Sequence, residues 1–205
     1  EVVVTASRSD GNYYSDEKTV IGLRRPADNA VQQVWIVSDS RDADMRCKEV
    51  LSMLDAAMAR AGGAGVQLVD GDFELKPINR AEYTCKSMSN AGRPDTSQIG
   101  FYVKAPVTGG TAPDKRIAAY VKSVPVTGRS LMETRGGLTL TIINPDQYRD
   151  QVVKLVAEQS LRYAGYFGPD YGVEVGGLNE ELNWTQVSET EVFLYIPYRF
   201  TVRPK

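Results

Sequence analysis

The stretch Ala30-Val31-Gln32-Gln33-Val34-Trp35-Ile36-Val37-Ser38-Asp39-Ser40 sets the fold class. Its β-branched and aromatic density reads as a strand over 30–38, and the Ser-Asp-Ser that follows can cap a helix. From about 41 to 61, Cys47, Val50, Leu51, Leu54, Met58 and Ala61 recur at three- and four-residue intervals. They therefore share one face of an amphipathic helix, which Gly62-Gly63 ends. Asp42 and Asp44 at its start and Arg60 near its end complement the helix dipole. Met45, Met53 and Met58 are read as core and flank filling rather than as a metal-binding stripe.

Strand and helix signals then recur along the chain. Residues 66–78 are extended, with Phe73, Leu75 and Pro77 alternating with Glu74 and Lys76 as in a strand with one wet face. Residues 79–97, with Gly92-Arg93-Pro94-Asp95, form the longest polar loop and the best candidate for mobility. A strand over 98–107 leads to a short helix over 113–124 with Ile117, Val121 and Val124 inward. Residues 129–143 read as a strand pair or long hairpin arm, and Asn144-Pro145-Asp146 as a capped helix start. That last helix runs to about 167, burying Tyr148, Val152, Leu155, Val156 and Tyr163, and Gly168-Pro169 ends it. Strands at 171–175 and 190–203 close the chain. The sum is an α+β fold, a mostly antiparallel sheet with about three helices packed on it. It is expected as a single domain over 1–205, with an N-terminal strand and loop at 1–29, a polar stretch at 7–16 within it, and the core at 30–205.

Composition narrows the chemistry. The charges nearly balance, 24 Lys+Arg against 26 Asp+Glu, so no basic field awaits nucleic acid. No apolar run is long enough for a transmembrane segment. The opening at Glu1 rather than Met, directly in a strand-like run, fits an exported protein whose signal peptide has been removed. Histidine is absent, which removes Ser-His-Asp and Cys-His nucleophilic sites and the commonest metal ligand. Cys47 and Cys85 lack metal or thioredoxin-type spacing. They are read either as one disulfide or as a buried and an exposed thiol.

The remaining constellations are weak. Glu180-Glu181, Glu189 and Glu191 can serve acid–base work or a hard cation, but they suit a solvated loop and strand edge better. Gly109-Gly110 and Gly136-Gly137 read as turns, without the lysine and helix start of a phosphate loop. Tyr13, Tyr14, Tyr83, Tyr163, Tyr166, Tyr171, Tyr195 and Tyr198 offer rings with polar tips, and Tyr163, Tyr166 and Phe167 are the candidate interface. The sequence provides no catalytic residue, cofactor site or metal site.

Three passages carry a resemblance. Asp70-Gly71-Asp72-Phe73-Glu74-Leu75-Lys76-Pro77 after Ala61-Gly62, with Tyr83 beyond it, is one; Leu138-Thr139-Leu140-Thr141-Ile142-Ile143-Asn144-Pro145 entering the last helix is another; the alternating close over 192–202 is the third. In order and pattern they resemble the SIMPL-domain family, the periplasmic immunogen and oxidative-stress-defence type of bacterial envelope protein. The opening Val4-Thr5-Ala6-Ser7 departs from that family's usual Val-Thr-Gly-Glu-Gly-like turn, and the last helix has fewer alanines. The resemblance implies a periplasmic or outer-envelope location in a Gram-negative bacterium, assembly into oligomers and a link to stress defence, with no catalytic residue to carry over. Glu1-Val2-Val3-Val4-Thr5-Ala6-Ser7-Arg8 also looks like the start of TonB-dependent receptors, but the chain is too short for their barrel, and the octapeptide is read as a plain strand.

The expected role is therefore noncatalytic, through protein–protein contact or self-assembly in the envelope. The alternatives are a small-ligand-binding domain, with a helix–sheet cleft or the 79–97 loop closing over a compound, and a carboxylate-based enzyme.

Overall fold

Strand β3 (Asn29–Ser38) is hydrogen-bonded along both edges, antiparallel to β6 (Ser97–Pro106) on one side and to β7 (Ser130–Ile143) on the other. The computed structural model to which it belongs describes residues 3–5 in backbone only, then 21–72, 74–107 and 112–205. The expected loop at 7–16 with Tyr13 and Tyr14, the side chain of Phe73 and the Gly109-Gly110 turn lie outside these residues. Strands β4 (Gln67–Asp70) and β5 (Lys76–Pro77) extend the sheet beyond β6, and β1 (Val3–Thr5) extends it beyond β7, giving the order β1-β7-β3-β6-β4-β5.

Helix α1 (Ala43–Ala61) connects β3 to β4, and α2 (Pro113–Ser123) connects β6 to β7. Strands β7-β3-β6-β4 thus follow the βαββαβ order of the split-βαβ, ferredoxin-like plan. Side chains alternate across a strand, so Val34 and Ile36 share a face with Ile99, Phe101 and Val103. On that face they meet Val50, Met53, Leu54 and Ala57 of α1 and Ile117 and Tyr120 of α2. The Tyr120 hydroxyl donates to the Ala57 carbonyl at 2.8 Å, which satisfies a buried phenol and joins the helices.

A second core lies where β7 continues past the first. There Ala30, Leu140 and Ile142 pack against Val152 and Val156 of α3 (Arg149–Gly165) and Val192 and Leu194 of β10 (Glu191–Tyr195). Strand β10 lies between β2 (Leu23–Pro26) and β9 (Asn183–Gln186), while β8 (Tyr171–Gly176) and β11 (Arg199–Pro204) form a separate ribbon. Ala30, Leu140 and Ile142 project from the same face as Val34 and Ile36, so α3 shares that side of the large sheet with α1 and α2.

Several elements differ from expectation. The extended segment over 66–78 is a hairpin: it turns at Gly71 (φ +131°), where an added Cβ would strike the Glu74 carbonyl, and Pro77 pairs with Val69. Of the two readings of 129–143, the strand pair is not found: Ser130–Ile143 is one long strand. Its ladder to β3 jumps from Gln33↔Arg135 to Val31↔Thr139, a bulge carried by Gly136 at φ +69°. The closing strand is two, because Ile196-Pro197-Tyr198 separates β10 from β11 and sends them to different sheets. Asn144 enters the helical region through a left-handed backbone (φ 46°) without a side-chain cap. Among the described residues, no helix is long and apolar enough to cross a membrane.

The Ser-Asp-Ser after β3 does not cap α1; Asp42 does, accepting from the Met45 amide at 2.8 Å. Ser38 and Ser40 instead donate to the buried Glu49 carboxylate at 2.6 and 2.8 Å. Glu49 fills the space beside Gly128, where a Cβ would collide with it. Burial opposes its ionisation, but the hydrogen bonds from Ser38, Ser40 and the Arg129 backbone, with the Arg129 charge, hold the carboxyl below its ordinary range. Glu49→Ala leaves two buried hydroxyls without their acceptor and is expected to cost about 1–3 kcal/mol in urea unfolding. The contribution of Glu49 is full above the unfolded value of about 4.3 and is lost as pH falls through the lower folded value. Acid titration of stability in Glu49→Gln should therefore lose this component.

Candidate functional site

A groove of about 390 Å³ opens beside β6, where β4 stops short. The β4–β6 ladder ends at Val69↔Tyr102, and pairing resumes only at the Ser89↔Gln98 bridge. Between them Gly100 has no strand partner on that side among the described residues. Gln98 uses its backbone N–H and C=O to bond Ser89 at 2.8 and 3.1 Å. Strand alternation turns the Gly100 N–H and C=O the same way, toward the groove.

The floor comes from the helix-free face of the sheet: Gln33 and Trp35 of β3, and Gln98, Gly100 and Tyr102 of β6. Trp35 lies flat because its neighbour has no side chain; a Cβ on Gly100 would sit 3.0 Å from the indole ring. The Trp35 indole N–H is buried with no hydrogen-bond partner among the described residues. Arg135, next to the bulge, stacks over the indole at 4.9 Å and donates to the Gln98 side-chain oxygen at 3.1 Å. Its charge is already engaged by Glu133 at 2.7 Å.

The far wall is the β4–β5 turn and the start of the 79–97 loop, which bring Asp70, Asp72, Glu82, Tyr83, Ser87 and Ser89. Three of these are carboxylates, and none of the described lining residues is Lys or Arg. The Tyr83 hydroxyl donates to Asp70 at 3.2 Å. Burial, reinforced by the Asp70 charge, pushes that phenol well above its ordinary range, so it remains a donor.

The loop is fastened to α1 at two points. Cys47 and Cys85 form a disulfide, their Cα atoms 5.4 Å apart, with Cys47 buried in α1 and Cys85 exposed on the loop. Arg80 pairs with Asp55 of α1 and donates to the Tyr83 carbonyl at 2.9 Å. Between these anchors the loop is built from short 3₁₀ turns, Arg80–Glu82 and Cys85–Ser87.

The other candidate residues lie elsewhere. Tyr166 and Phe167 are 68% and 62% exposed at the end of α3. Tyr163 is half-buried and stacked on Phe200 at 5.8 Å. Glu180, Glu181 and Glu189 are exposed, Glu191 pairs with Arg24 at 3.0 Å, and none of the four lines the groove. Among the described residues no group of three or more Cys, Asp or Glu is placed to hold a metal ion. The residues that sequence reasoning missed are Trp35 and Gly100. Their signal was a glycine inside an otherwise bulky strand, which marks a close approach.

Replacing both cysteines with alanine opens a loop closed across 38 positions and is expected to lower stability by about 3–4 kcal/mol in chemical unfolding. Amide exchange should rise over residues 79–90 more than over β3. No family model matches the chain, and no curated protein or solved structure matches it.

Proposed function

We propose that this chain is a noncatalytic binding domain of the bacterial envelope that takes its ligand in the groove beside β6. One observation carries the reading: a concave site with an aromatic floor and convergent polar groups, one wall of which is disulfide-tied to a core helix. A disulfide is the bond of an oxidising compartment, which supports an envelope location, as does the resemblance of the chain's order to SIMPL-domain proteins. The described residues of the groove bring carboxylates, hydroxyls, amides and ring surface together, a set suited to holding a polar or cationic group. Its chemistry is that of recognition.

The reporter for this proposal is built in. The chain has two tryptophans, so Trp184→Phe leaves Trp35 as the sole indole. A panel of small cationic, neutral and anionic compounds should contain members that change Trp35 fluorescence saturably. Gly100→Val, which puts side-chain atoms against the indole, should abolish that response while circular dichroism shows the fold intact. A response that survives Gly100→Val, or none from any compound, would overturn the groove as the binding site.

A second reading is favoured by the far end of the molecule. Tyr166, Phe167, Tyr171 and Phe200 are exposed, and ring contacts join them in two groups: Tyr166 to Tyr163 at 6.3 Å and Tyr163 to Phe200 at 5.8 Å, and Phe167 to Tyr171 at 6.0 Å. Exposed aromatic clusters suit protein contact, including self-association. Light scattering across concentration is expected to show mass above the monomer that Tyr166→Ser with Phe167→Ser removes. A strict monomer in the parent protein would count against this surface as a self-contact.

A further inference from the structure

Resting on the groove as the binding site, we infer that its ligand is a peptide segment presenting a lysine or arginine side chain. Two separate features of the groove ask for two parts of such a ligand. The first is the backbone of Gly100, unpaired on this side among the described residues, whose N–H and C=O face the groove between the end of the β4 ladder and the Ser89↔Gln98 bridge. Edge backbone left between two paired stretches is complemented by one residue of an antiparallel partner segment, whose own carbonyl and amide N–H point the same way. A simple alkylammonium ion, which only donates, has no such pair.

The second feature is charge. Asp70 and Glu82 carry the charge of the wall, and among the described residues no lysine or arginine lines the groove with them. Arg135 at the margin is held by Glu133 and stacked on Trp35, so it does not neutralise the wall. Trp35, Tyr83 and Tyr102 supply ring surface in the same space. Carboxylates beside aromatic surface favour an ammonium or guanidinium group, by ion pairing and by attraction to the ring faces. They disfavour a carboxylate or phosphate. A volume of about 390 Å³ accommodates one long side chain with its flanking peptide units, not a folded partner.

The test contrasts ligands of one shape and different charge, read by Trp35 fluorescence in the Trp184→Phe background. Nα-acetyl-lysine methylamide and Nα-acetyl-arginine methylamide should bind saturably. Nα-acetyl-norleucine methylamide, which keeps the amides and loses the cation, should bind roughly ten-fold more weakly, about the worth of one partly exposed charge-assisted contact. Butylamine, which keeps the cation and loses the peptide units, should also be weaker. Glu82→Gln should narrow the lysine-to-norleucine ratio, and if Asp70→Asn unfolds the wall, added salt serves instead, weakening the lysine ligand and not the norleucine one. Equal binding of the lysine and norleucine ligands overturns the charge inference and leaves the groove reading standing. Equal binding of butylamine and the lysine ligand overturns the peptide part. Silence of Trp35 toward every ligand, anionic and neutral included, overturns both.

Discussion

All three long helices pack on one side of the large sheet, and the rest of the molecule follows from that constraint. Both crossovers of the βαββαβ unit deliver their helices to the face of Val34 and Ile36, and α3 joins them below, over Ala30 and Leu140. The opposite face must then be covered by whatever the loops provide. Over its lower part Val31, Val69 and Leu75 close it with Tyr102 and Ile143 in a small apolar cluster. Over its upper part, among the described residues, the loop from β5 to β6 stands off far enough to leave a groove.

That loop holds its shape through ties rather than through burial. It contributes Tyr83 to the main core and little else that is apolar and buried. The Cys47–Cys85 bond and the Arg80–Asp55 pair substitute for a hydrophobic anchor, and both end on α1, among the best-packed elements of the protein. Segments with few apolar contacts generally open at low free-energy cost, so covalent fastening matters more here than it would in β3.

Much of the fold was legible because periodicity reports burial. The stripe of α1 put Cys47, Val50 and Leu54 inward from spacing alone, and all three are buried. The failures share a cause: local pattern does not register long-range pairing. Residues 66–78 keep an alternating rhythm through Gly71, so the reversal that makes a hairpin left no break in periodicity. Pro197 interrupts a run that otherwise reads as one strand, and the two halves part because β10 is drawn to β2 and β9 while β11 is drawn to β8. The groove was the least legible, since Trp35 and Gly100 lie 65 positions apart and meet only through the register Trp35↔Gly100. The 79–97 loop was singled out for its length, and length carried no information on which face it would wall.

Among the described residues the β8–β11 ribbon beside the exposed rings has each strand paired on one side only. Isolated ribbons are templates on which foreign strands can grow, and this one is guarded. Arg203 faces Glu174 across it at 2.9 Å, and Pro204 removes an amide at its end. Charge and a missing donor make poor seeds for an added strand. The aromatic end of the molecule is thus steered away from fibre-like growth, and its apolar surface is kept for contacts made by side chains.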